Sequence, residues 1–296
     1  KEQDKETDHH FLMEEATALS YHPSQQSPAF SCRADSTDVL TTLLSTLLID
    51  KNQVVLCNIV GAGMKFTVEK DKSMRAKAYL KSSCFQQFEL KDETDELAFT
   101  VSLPIFLHCL QVFGVSSHIR MTYDGYGCPV CLILEDDGVV TQCEIRTLED
   151  AIPSDFNFRS CPITSRAVVK SQFLKEGFAE LDVAGATKVC IQMSQSDNET
   201  PFLSMSVRGD SSSVEIDFPE DESSEVFTEF ECKQPTQNNY SLTLIRPCVR
   251  ALAKADHTNL RMNEEGMLSM QHVIPTRDGQ YTNWVEFLLC AQEEDV

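Results

Sequence analysis

Apolar positions along the chain follow two rhythms. Four stretches carry them at helical spacing, three or four residues apart. Over 36–48 the stripe is Leu40, Leu43, Leu44, Leu47 and Leu48, with Ser36 placed to cap the first turn. Over 102–113 it is Leu103, Phe106, Leu107, Leu110 and Phe113. Over 171–181 it is Leu174, Phe178 and Leu181, capped by Ser171, and over 244–255 it is Ile245, Val249, Leu252 and Ala255. Shorter β-branched and aromatic runs between them read as strands: 54–60, 65–69, 75–80, 84–90 and 97–101, then 188–193, 202–208, 214–218, 227–232 and 240–244.

The pattern occurs twice. Met121, Asp124 and Gly125 match Met262, Glu265 and Gly266, and each set is followed thirteen residues on by Asp-Gly, at Asp137-Gly138 and Asp278-Gly279. One offset of 141 fits them all. Apolar runs before and after each Asp-Gly predict a hairpin, in the same register in both halves. Each half therefore predicts helix, strands, helix, strands. That order implies an α+β fold, with helices gathered on one face of antiparallel sheets.

Length agrees with duplication: 296 residues suffice for two domains, and 42% apolar content fills two cores. The expected division is a polar tail at 1–28, a first domain at 29–145, a connector at 146–165 and a second domain at 166–293. The connector carries Pro153, Pro162 and two aromatics read as exposed, Phe156 and Phe158. Residues 101–113 form the longest apolar stretch, too short to cross a bilayer, so no membrane partner is expected. The charged first ten residues do not read as a signal peptide. The twelve cysteines are spread evenly and read as reduced thiols filling cores. Cys128 and Cys131 have ligand-like spacing, but no second pair follows, and a strand would point them to opposite faces. No metal and no cofactor are expected.

A net charge of −21 argues against nucleic-acid binding over the whole surface, but not against a local basic stripe. Arg246, Arg250 and Lys254 form such a stripe at i, i+4 and i+8, opposite the apolar side of their helix. Lys175 and Lys170 belong to the same half. The first half offers only His108 and Gln111 on one helix and Ser, Thr and Asp on the other. The stripe reads either as a solvated face or as a sequence-independent phosphate contact. Carboxylates at Glu135-Asp136-Asp137, Asp217 and Glu220-Asp221-Glu222 read as solvated turns rather than a two-metal nuclease centre. No Gly-rich phosphate loop, G-x-S-x-G or H-E-x-x-H occurs, and the chain reads as a non-enzyme.

Several strings carry a family resemblance: Phe85-Gln-Gln-Phe-Glu-Leu90, Tyr123-Asp-Gly-Tyr-Gly-Cys-Pro129, Leu134-Glu-Asp-Asp-Gly-Val-Val-Thr141, Gly177-Phe-Ala-Glu-Leu-Asp182 and Gly266-Met-Leu-Ser-Met-Gln271. Over roughly 30–293 the chain resembles DNA sliding clamps, and most closely the Rad-one family of the nine-one-one checkpoint complex. The resemblance implies a DNA-clamp fold and a non-catalytic subunit of a heterotrimeric ring that encircles DNA at damage sites. It implies Rad-nine-type and Hus-one-type partner subunits, a checkpoint clamp loader, double-stranded DNA, repair enzymes and checkpoint kinase activators as partners, and a nuclear location. It implies Lys170, Lys175, Arg246, Arg250, Lys254 and His108 as DNA-facing residues, and Phe156 and Phe158 as part of a partner-binding connector. The first half departs from the pattern, because its channel helices lack the basic residues that replicative clamps carry there. The alternatives are a 3′-5′ DNA exonuclease, a replicative homotrimeric clamp and a peptide-binding adaptor.

Overall fold

A computed structural model describes residues 27–92, 96–149, 154, 156–196, 199–221, 225–276 and 282–292. The first half runs β1 (Phe30–Ala34), α1 (Asp38–Thr46), β2 (Val54–Val60), β3 (Gly63–Lys70), β4 (Met74–Lys81), β5 (Gln87–Leu90), β6 (Leu97–Ser102), α2 (Leu103–Leu110), β7 (His118–Tyr123), β8 (Val130–Asp136) and β9 (Val139–Ile145). The second half repeats the order: β10 (Ile163–Lys170), α3 (Ser171–Glu180), β11 (Lys188–Ser196), β12 (Glu199–Arg208), β13 (Ser213–Pro219), β14 (Phe227–Cys232), β15 (Thr236–Ser241), α4 (Leu242–Leu252), β16 (His257–Asn263), β17 (Leu268–Pro275) and β18 (Thr282–Leu289).

All strands pair antiparallel. Each half builds a five-stranded sheet, β5-β1-β7-β8-β9 or β14-β10-β16-β17-β18, and a four-stranded one, β4-β3-β2-β6 or β13-β12-β11-β15. Strand β18 pairs with β4, which fuses one sheet of each half into nine strands. Among the described residues, β9 and β13 each end a sheet with one side unpaired.

Alternation sets the faces. In β2, Val55, Cys57 and Ile59 are buried while Val54 and Val60 are exposed. The buried rows meet the helices: α1 packs on α2, α3 on α4, and α1 reaches α4 across the halves. One continuous apolar core results, running from Phe30 to Leu289.

Helix ends differ from the expectation in instructive ways. The Ser36 hydroxyl does accept the Asp38 amide, at 3.0 Å, but the helix begins after it at Asp38. Ser171 lies inside α3, and its hydroxyl meets Thr258 at 2.8 Å in the core rather than capping. Helix α4 starts at Leu242 and ends at Leu252, so Leu244 is helical and Lys254 sits in the following turn. Strands β1, β7, β10 and β16 were not among the expected strands. Strand β10 begins at Ile163, inside the segment read as connector.

The duplication is real in topology, but its common register fails. Met121 pairs with Leu132, eleven positions on, whereas Met262 pairs with Leu268, six on. The first turn is longer, holding Asp124–Pro129 with Gly125 and Gly127 at positive φ. An offset of 141 would set the buried Val130 and Leu132 of β8 on the outward positions of β17, and side-chain period two forbids that. Asp137 and Gly138, with φ of 46° and 79°, do close a two-residue hairpin turn. Asp278, Gly279, Glu222 and the tail to residue 26 lie outside the described residues.

Candidate nucleic-acid interface

The exposed side of α4 carries Arg246 and Arg250, one turn apart, with Lys254 exposed just beyond its end. Pro247, Cys248, Ala251 and Leu252 hold the opposite side in the core. This geometry leaves the cations no choice but the helix surface away from the sheets. Arg246 lies 3.8 Å from Asp182, at the end of α3. Arg250 donates to the Leu48 carbonyl at 3.1 Å and so ties the second half's helix layer to the first's. Lys254 borders a hollow of about 330 Å³ shared with Asp38, Thr42 and Asn283.

Lys175 is exposed on α3, on the same helix layer. Lys170 is held differently. It ends β10 and pairs with Glu225 at 3.2 Å, which ties its charge to the sheet. His108 is exposed on α2, beside Ile105 and Gln111, so the first half's outward helix is nearly uncharged. Cys128 and Cys131 are both partly buried, and among the described residues no group of three or more His, Cys, Asp or Glu could hold a metal ion.

The connector contradicts its expected exposure. Phe156 and Phe158 are buried, at 8% and 5% exposure. They pack with Leu288, Ile163, Met267 and Cys290 on the sheet face away from the helices. Arginines explain the seating. The Arg75 guanidinium lies 4.9 Å from the Phe156 ring centre and donates to the carbonyls of Phe156 and Ser154. Arg261 lies 5.4 Å from the Phe158 ring and binds Glu286 at 2.7 Å. Glu69 binds Arg75 and accepts the Ser154 amide at 3.0 Å. Partial burial pushes the Glu69 carboxyl up, but these partners outweigh it and hold the group below its ordinary value. Aromatics in a Pro-rich segment read as exposed because the sequence does not show the arginines waiting on β4 and β16.

On the same face, an open groove of about 330 Å³ is lined by Asn58, Val60, Lys65, Tyr79 and Trp284. Lys81 stands 4.6 Å over the Trp284 ring. Sequence reasoning missed this feature, although a lone Trp at a sheet junction was the available signal.

Two duplicated α+β halves, sheets joined edge to edge and four helices on one side define a DNA-clamp fold. The solved structure of the proliferating cellular nuclear antigen of Entamoeba histolytica is similar, with a TM-score of 0.72 at 10% identity, covering 90% of this chain and all of that one. Residues 29–274 match the family model described as repair protein Rad1/Rec1/Rad17, and the chain belongs to that family. It is 34% identical to the human cell cycle checkpoint protein RAD1 over 85% of this chain and 89% of the relative. It is 27% identical to the DNA damage checkpoint control protein rad1 of Schizosaccharomyces pombe, over 84% and 83%. A protein of Mycosarcoma maydis named DNA repair exonuclease REC1 is 25% identical over 54% of this chain and 40% of its own length. The chain is a checkpoint clamp subunit of the Rad1 family.

Proposed function

We propose that this subunit forms one third of a heterotrimeric ring, with Rad-nine-type and Hus-one-type neighbours, that encircles DNA in the nucleus without catalysing a reaction. The observation carrying this reading is the seam between β18 and β4. It joins the two halves through a sheet edge, while the counterpart edges β9 and β13 stand unpaired. Repeating the seam between subunits removes exposed edges and curves the helix layer around a hole. Arg246, Arg250, Lys254 and Lys175 then face the duplex and touch phosphates without reading bases. His108 adds a weak contact, and Lys170, held by Glu225, contributes little.

A clamp loader places the ring, and repair enzymes and checkpoint kinase activators dock on it. Their segments find the open Trp284 groove before the surface that Phe156 and Phe158 already cover. Co-purification of a 1:1:1 complex with two other clamp-fold chains supports the reading. A stable homotrimer would overturn it. For the nuclease alternative, a purified preparation must degrade DNA in Mg²⁺ and lose that activity with one carboxylate substitution.

A further inference from the structure

We propose that the segment Phe11-Leu12-Met13-Glu14-Glu15 folds back over the outer face of the first half's five-stranded sheet, with its carboxylates on Arg33 and Arg120 and its apolar side chains on Ile133. Closure of a ring is not needed for that contact.

The duplication sets two arginine pairs in equivalent places. Arg33 of β1 stands directly opposite Arg120 of β7, and Arg166 of β10 directly opposite Arg261 of β16. Arg120 and Arg261 each precede one of the matched methionines, Met121 and Met262. Like charges directly opposed across a ladder repel, so each pair calls for a counter-charge. In the second half it is supplied. Arg166 binds Glu229 at 2.9 Å, and Arg261 binds Glu286 at 2.7 Å. The chain leading into β10 then covers the pair. Phe158 lies 5.4 Å from the Arg261 guanidinium, and the Asn263 amide donates to the Phe158 carbonyl at 3.4 Å.

The first half leaves its pair unanswered. Arg33 and Arg120 are exposed, and their side chains make no ion pair or hydrogen bond among the described residues. The ladders show why. Gln87 faces Arg33 where Glu231 faces Arg166. Ile133 faces Arg120 where Ser269 faces Arg261, and Val140 stands where Glu286 does. Both arginines border an open hollow of about 320 Å³ with Ile133, which is 37% exposed. Glu135, at its rim, is the one lining carboxylate among the described residues, and it binds neither arginine.

The occupant follows from the same symmetry. Residues 1–29 lead into β1 as the connector leads into β10. Within 1–28, Phe11–Glu15 joins an aromatic, Leu12 and Met13 to two adjacent carboxylates, which is the chemistry the arginines and Ile133 lack. Residues 16–29 separate Glu15 from Phe30. Extended, they reach ~45 Å, whereas the strand from Phe30 to Arg33 covers only ~10 Å. A segment tethered this closely has an effective concentration of about 1 mM, so charge-assisted hydrogen bonds and a small apolar contact suffice to hold it. Phe11 beside a guanidinium repeats the contact that Phe158 makes with Arg261.

The test uses the full chain with a photoreactive benzophenone side chain in place of Phe11, irradiated in dilute solution, with the attachment sites read by mass spectrometry. Attachment is expected within the same chain, to β1, β7 or β8 around Arg33, Arg120 and Ile133. Glu14→Lys/Glu15→Lys is expected to lower that yield about tenfold, and Arg33→Gln/Arg120→Gln to lower it equally. Joining Glu14→Lys/Glu15→Lys to Arg33→Glu/Arg120→Glu is expected to restore it. Attachment to the Trp284 groove, to a second copy or to another protein overturns the proposal. A yield that neither the tail variant nor the Arg33→Gln/Arg120→Gln variant changes also overturns it.

Discussion

The Arg75 guanidinium stacks over the Phe156 ring, 4.9 Å from its centre, while binding the Glu69 carboxylate of the neighbouring strand. One side chain thus fastens the segment between the halves to the sheet that joins them. Arg75→Ala removes the stack, two carbonyl contacts and the ion pair at once. It is expected to cost about 1–3 kcal/mol of stability in denaturant unfolding. It is also expected to expose the backbone near Ser154–Ser160 to limited proteolysis. Unchanged cleavage there would show that the aromatics seat themselves without the arginine.

The basic stripe predicts a salt signature. Arg246→Ala/Arg250→Ala/Lys254→Ala in the assembled ring is expected to weaken DNA binding and lower the slope of log affinity against log salt by as much as about 3. Lys254→Ala alone is the cleaner variant, because Arg250 also ties the helix layers together. Lys170→Ala is expected to do less, since that charge is satisfied by Glu225. An unchanged salt slope for the triple variant would assign the stripe to solvent.

Acid stability follows from His272. The ring is fully buried against Phe287, its Nδ1 lies 2.9 Å from the Thr258 hydroxyl, and its Nε2 has no hydrogen-bond partner among the described residues. Burial pushes its pKa down from 6.5 to about 3. Between those values the unfolded chain holds the proton and the folded chain does not, so stability falls as pH drops from about 6.5 toward 3. This group contributes up to about 1.4 kcal/mol per pH unit in that window. His272→Leu is expected to flatten that part of a stability-against-pH curve. An unaltered slope would mean that other groups set it.

The α+β class and the four helices were legible because helical periodicity is dense: Leu40, Leu43, Leu44 and Leu47 admit no other reading. The duplication was legible through Met121 and Met262, which hold equivalent places in β7 and β16. Beyond them the turns differ in length, and pairing register is set by turns that composition does not reveal. Strands β1, β7, β10 and β16 escaped because each lies beside polar or Pro-containing sequence, and only their partners define them. The stripe on α4 was legible from spacing alone. The burial of Phe156 and Phe158 was not, since it depends on Arg75 and Arg261, distant in sequence.

A closed ring binds DNA by enclosing it. That enclosure is tested most directly by loading the complex that contains this chain onto closed circular DNA, washing in high salt, and then cutting the circle once. Retention on the intact circle and release on linearisation are expected, because a ring held by enclosure slides off an end. Equal retention before and after the cut, or no salt-resistant retention on the circle, would contradict enclosure.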